Sequence, residues 1–236
     1  MTPPNDATSP RVATGEREAI LARVRRALAE PTDPRVRHPA THSTGYSAVL
    51  PPVRPTVSDR LDVFRERAEA LKASLICPPT VEAAAQTLAA LADDFDWTRL
   101  AVHSHPLVEQ ATAGIRLPRL TTDRGYAPTD LEQCDAAVTA CDALIAQTGS
   151  VLLTAASAGG RALSVLPPHH VVVATIDQLL PDLPAAYALL EERYRQDWPS
   201  FATFITGPSR TGDIERILVL GAHGPRQLTI LLIGQP

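Results

Sequence analysis

His170–Val–Val–Val–Ala–Thr175 is an apolar, β-branched run of strand length, and it reads as a buried strand. C-terminal to it, Leu183 to Arg195 reads as a helix and Phe201 to Thr206 as the next strand. Leu218 to Leu220 and Gln227 to Ile233 complete the set, with Thr211 to Ile214 expected to open a turn or short helix. N-terminal to it, Arg99 to His103, Leu117 to Thr121, Ala136 to Thr139, Ala143 to Ala146 and Ser150 to Ala155 are strand candidates. Val57 to Ser74 carries Leu61, Phe64, Ala68, Leu71 and Leu75 on one helical stripe, broken by Cys77–Pro78–Pro79. Thr80 caps a second helix, and Pro106 to Gly114 reads as a third. Strands alternating with helices predict an α/β fold with a mainly parallel sheet, and a hairpin at Gly149 suggests a mixed one.

The 236 residues suffice for one domain with an appendage. Residues 1–13 read as a disordered, polar and Pro-rich tail and 14–30 as an amphipathic helix bearing Ile20, Leu21, Val24 and Leu28 with Arg17, Arg23, Arg25 and Arg26. Residues 31–56 read as a Pro-rich linker or arm, and 57–236 as the folded domain. A net charge of −4 gives no global reason to bind nucleic acid. No apolar run approaches the roughly 20 residues of a membrane span, and Met1 to Pro10 lacks a signal-type apolar core, which predicts a cytoplasmic protein. The three cysteines, Cys77, Cys134 and Cys141, form no CxxC pair and fall short of the four thiolates that usually hold an iron–sulfur cluster. The chain alone is expected to carry no cofactor.

Three segments are candidates for chemistry. In Phe204–Ile–Thr–Gly–Pro–Ser–Arg–Thr–Gly–Asp–Ile–Glu215 a strand runs into Gly207, which permits close backbone approach, and then into the hydroxyls of Ser209 and Thr211. A helix start there would bind an anion, with Arg210 pairing a carboxylate or phosphate. Asp213 and Glu215 would move a proton or orient Arg210; the alternative is a capped strand-to-helix turn. Thr148 and Ser150 flank Gly149 at a hairpin tip, a geometry that needs glycine with or without a ligand. Ala158–Gly–Gly–Arg161 is a loop able to bring Arg161 over an anion, or a plain solvent loop. His103 and His105 lack the further ligands of a metal site, so no metal is expected. His169 and His170, just before the strand, read as structural. His223 follows a strand in Gly221–Ala–His–Gly–Pro225 and is a candidate to share the cleft of Arg210. Ser209, His223 and Asp213 lack the nucleophile elbow that a hydrolase triad needs.

Three blocks together resemble the LUD domain, in particular the lactate-utilisation protein C family. They are Ala146–Gln–Thr–Gly–Ser–Val–Leu–Leu153, Gly160–Arg–Ala–Leu–Ser–Val–Leu–Pro–Pro–His169, and Thr206–Gly–Pro–Ser–Arg–Thr–Gly–Asp–Ile–Glu215 with Leu218–Val–Leu–Gly–Ala–His–Gly–Pro225. Gly212 stands where similar chains carry Ala, and Ser150 where Thr is common. The resemblance implies a three-layer α/β fold akin to CoA-transferases, sugar-phosphate isomerases and formyl-tetrahydrofolate cyclo-ligases. It implies a role in oxidising L-lactate to pyruvate with two sister proteins, one of them an iron–sulfur protein. On this reading the chain is the cluster-free member of the system. Arg210 would take a small anion with Gly207, Ser209 and Thr211, while Thr148 and Gly149 form the opposite lip and His223, Asp213 or Glu215 moves a proton. Two alternatives stay open: an independent enzyme on a nucleotide-, CoA- or sugar-phosphate-like substrate, and a non-catalytic assembly or regulatory protein using the basic helix and arm.

Overall fold

The computed structural model describes residues 14–29, 52–214, 217–221 and 224–235. In chain order the elements begin with α1 (Thr14–Ala29), α2 (Val57–Ala70), β1 (Ser74–Ile76), α3 (Val81–Asp94), β2 (Leu100–Val102), α4 (Pro106–Ala111), β3 (Arg119–Thr121), α5 (Pro128–Glu132) and β4 (Ala136–Thr139). They continue with β5 (Ala143–Ile145), β6 (Ser150–Thr154), β7 (His169–Thr175), β8 (Leu179–Leu180), α6 (Leu183–Tyr194), β9 (Ala202–Ile205), β10 (Arg210–Ile214), β11 (Ile217–Leu220) and β12 (Gln227–Ile233). The chain divides into two units, Met1–Tyr46 and Ser47–Pro236. In the first, α1 leaves Ile20, Leu21 and Val24 exposed. The tail 1–13 and nearly all of the arm 31–56 lie outside the described residues.

In the second unit, the large sheet is wholly parallel, and the antiparallel pairs fall in two smaller sheets, one of which also holds a parallel pair, β5 with β8. A six-stranded sheet runs β1-β12-β7-β4-β2-β3, with every pair parallel. A four-stranded sheet runs β8-β5-β6-β9, and β10 with β11 forms a hairpin of its own. The mixed pairing expected at the Gly149 hairpin therefore lies in a separate four-stranded sheet and not in the parallel one. Burial explains the arrangement: β7 and β12 are apolar at successive positions because both of their faces are covered. Val171, Val173 and Leu231 pack with Ala84 and Leu88 of α3 and Val108 of α4. On the opposite face, Val172, Ala174, Ile230 and Leu232 pack with Leu61, Phe64 and Ala68 of α2 and with Leu144, Val151 and Leu153 of the small sheet. The far face of that small sheet, through Ala143, Ile145 and Leu152, is closed by Ala186 and Leu190 of α6. The small sheet thus adds a layer to the expected three.

Asp142, just ahead of β5, fastens this last layer. Its buried carboxylate accepts from Arg193 Nη1 at 2.9 Å and from the Tyr194 hydroxyl at 2.6 Å, which ties the end of α6 to the sheet. Burial, and then donation to Asp142, push the Tyr194 hydroxyl above the usual tyrosine range.

Two local expectations fail for identifiable reasons. The helix expected to run to Ser74 stops at Ala70, because Lys72 adopts φ +69° and turns the chain into β1. Leu75 therefore belongs to a strand and not to the helical stripe. The expected turn or short helix after Gly207 is strand β10, paired antiparallel with β11 and irregular between Thr211 and Ile214. An anion site built on a helix N-terminus at this point is withdrawn.

Candidate functional site

A cleft of about 280 Å³ opens between the N-terminal edge of the parallel sheet and the small sheet. Its floor carries His170, second residue of β7, and Leu228, second residue of β12. Thr203 and Ile205 of β9 form one wall, continued by Phe201 and by Gly207, Pro208 and Ser209. Ser164 and Val165 from the loop before β7, with Gly224 and Pro225 from the loop before β12, close the other side. Backbone hydrogen bonds knit these loops together. Ser209 N–H donates to the Pro225 carbonyl at 2.9 Å, and the Pro168 carbonyl accepts from Arg226 N–H at 2.8 Å and from Gln227 N–H at 3.2 Å. Segments far apart in sequence thus converge on one cavity, whose described lining is apolar or uncharged.

His170 is the lining residue that sequence reasoning took as structural. It is fully buried, its Nε2 lies 2.9 Å from Thr139 Oγ1, and its Nδ1 is buried without a partner among the described residues. Burial, reinforced by neighbouring His169, holds its pKa down at about 3, so the ring is neutral at physiological pH. Its pleat parity was the available signal: adjacent strand residues face opposite sides, so one of His169 and His170 had to face the small sheet. His169 faces the other way. It meets Thr229 Oγ1 at 2.8 Å and sits edge-on to Phe95 and Trp97, a structural role.

The other expected residues scatter around the cleft. Gly207 and Ser209 line it. Arg210 is exposed, with Nη2 3.5 Å from where a Gly207 β-carbon would stand, beside the end of α2 and outside the lining. Gly149 packs on α2 at Arg67 and Ala68, so the hairpin tip seats against a helix. Ser150 Oγ donates to Thr148 Oγ1 and pairs with Thr206 Oγ1, both at 2.8 Å, which joins the tip to the end of β9. Thr148 and Gly149 are therefore not among the lining residues. Arg161 donates to the Ser200 carbonyl and stacks its guanidinium 5.7 Å from the Phe201 ring, bracing a wall of the cleft. The side chains of Thr211 and Asp213, and all of Glu215 and His223, lie outside what the structure describes. His103 and His105 each accept a backbone N–H, from Ala140 at 3.3 Å and Leu107 at 3.2 Å.

Comparison with known proteins places the chain in a family. The LUD domain family model matches residues 61–233. Lactate utilization protein C of Deinococcus radiodurans is 35% identical over 130 residues, which is 52% of this chain and 60% of that protein. The proteins of the same name from Geobacillus sp. and Bacillus velezensis are 34% and 32% identical, over 43% and 44% of each chain. The matched regions thus span less than two thirds of these relatives. A crystal structure of a DUF162 family protein from Deinococcus radiodurans superposes with a TM-score of 0.61 over 77% of this chain and all of that one; at 21% identity it shows the fold alone. With most of its length matched by the family model, the chain belongs to the LUD domain family.

Proposed function

We propose that the protein is a cluster-free component of a cytoplasmic system oxidising L-lactate to pyruvate, working beside sister proteins that include an iron–sulfur protein. The observation that carries the site is the convergence of Ser164, Val165, Gly207, Pro208, Ser209, Gly224 and Pro225 on one cleft, since these residues come from two of the three blocks that mark the family resemblance. The names of the relatives supply the link to lactate. Three cysteines, two of them buried, are too few for a four-thiolate cluster. Among the described residues, no helix is long and apolar enough to cross a membrane.

The ligand of the cleft, on this reading, is a short carboxylate. Its charge sits at the mouth, within reach of Arg210, and its uncharged part points inward, because a carboxylate deep among uncharged walls would lose its hydration without a counter-ion. The described lining is uncharged, which speaks against burying a polyphosphate, as the nucleotide and CoA alternative would require. Fold kinship to the transferases remains an analogy. Lactate-dependent dye reduction by the sister proteins, with and without this chain, tests the role: activity should require the chain. Replacing Arg210 with Ala should weaken L-lactate binding roughly tenfold in a calorimetric titration, the low end for a charge-assisted contact at an exposed residue, and leave thermal stability unchanged. Unchanged binding would remove Arg210 from the site.

A further inference from the structure

The cleft offers an incoming ligand apolar walls in Val165, Phe201, Ile205 and Leu228, and a small set of polar groups. Among the latter, His170 is fully buried, and its surroundings are specific. A neutral imidazole has one donor and one acceptor nitrogen. Nε2 is engaged with the Thr139 hydroxyl at 2.9 Å, and Nδ1 is buried and, among the described residues, has no partner. Leaving such an atom unpaired in the interior is unfavourable, so a ligand group that satisfies it gains selectively over one that does not.

We infer that His170 is the specificity-determining residue of the cleft, reading a hydroxyl or carbonyl on the carbon next to the ligand's carboxylate and so selecting 2-hydroxy and 2-oxo acids over plain carboxylates. The inference rests on the carboxylate reading above. Thr139 makes the ring adaptable, because a hydroxyl both donates and accepts. When Thr139 donates to Nε2, Nδ1 carries the proton and donates to a 2-oxo group. When Thr139 accepts from Nε2, Nδ1 is bare and accepts from a 2-hydroxyl. One buried pair thus accommodates both members of a hydroxy-acid/oxo-acid couple without a charge in the cleft.

The test titrates the full chain with L-lactate, pyruvate and propionate, three acids of similar size and equal charge. L-Lactate and pyruvate should bind at least tenfold more tightly than propionate. H170Q places an amide where Nε2 stands, keeps a partner for Thr139, and should erase the preference. H170N places its amide where Nδ1 stands and should retain it. Equal binding of all three acids by the native chain, or a preference that survives in H170Q, overturns the inference while the carboxylate reading stands. Binding of none of the three overturns both. The native series decides the matter even where a variant fails to fold.

Discussion

Lowering the pH from 6.5 towards 4 should unfold the protein over a narrow interval. His103, His169 and His170 are buried, and burial holds their pKa values at about 4, about 4 and about 3. Their nearest hydrogen-bond partners are uncharged: the Ala140 amide, the Thr229 hydroxyl and the Thr139 hydroxyl. In the unfolded chain the same residues take protons near pH 6.5. Between these limits the unfolded state binds more protons than the folded one, so stability is complete above about pH 6.5 and falls as the pH drops towards the folded-state values. Near pH 5 three such groups give a slope of roughly 3–4 kcal/mol per pH unit, enough to exhaust the stability of an ordinary domain within two or three units. Carboxylates act later. Asp135 is partly buried, but bonds from Thr98 N–H at 2.7 Å, the Thr98 hydroxyl at 2.8 Å and Arg99 N–H at 3.0 Å outweigh that burial and lower its pKa. Its contribution is lost only below the ordinary aspartate range. Thermal midpoints measured from pH 7.5 to 4 check this. A flat profile above pH 4.5 would mean that these rings are not held neutral.

Gly149→Ala should destabilise the protein by about 3 kcal/mol or more, combining backbone strain with overpacking. Gly149 has φ +66°, and a β-carbon there would lie 2.7 Å from Arg67 Cβ and 2.9 Å from both Ala68 N and Arg67 C. Two of these contacts are helix backbone, which cannot swing aside. Gly207 meets the C-cap of the same helix, with Leu71 O 2.7 Å from its β-carbon position. Helix α2 is therefore the seat on which both glycine loops rest, and it sets the position of the cleft wall that Gly207 forms. Gly125 is the control: its φ is +81°, and nothing lies within 4 Å of an added β-carbon. With ψ 150° its backbone lies in a region nearly exclusive to glycine, so Gly125→Ala should cost the conformational part alone, about 1–3 kcal/mol. Urea midpoints of the two variants separate strain from collision. Equal losses would show that α2 gives way.

Much of the fold was legible in short apolar runs. Gln227–Ile233 has the expected bounds, and β7 begins one residue earlier than expected, at His169. Strand β1 was hidden because Leu71 and Leu75 extend a helical spacing past the point where Lys72 turns the chain, and a lysine carries no signal for positive φ. Separation of the strands into two sheets was hidden because pairing partners such as Val151 and Ile205 are remote in sequence. Gly149 was expected only to serve a hairpin turn and also packs against α2; Gly207 was expected to let the backbone approach a ligand, and it packs against the end of the same helix while also lining the cleft. That His170 lines the cleft was not legible, because Thr203, Ser209 and Leu228 reach the same cavity from three other segments. No spacing rule connects those positions.

The central claim is that this cleft is where the protein meets its ligand. The most direct measurement is an NMR titration of the labelled full chain with L-lactate, following the amides and the histidine rings. The account predicts saturable shifts at Ser164, Val165, Thr203 and Ser209, together with the His170 ring, and none at the α6-side groove around Trp198 and Ser200. Shifts confined to that groove, or no shifts at any residue, would contradict it.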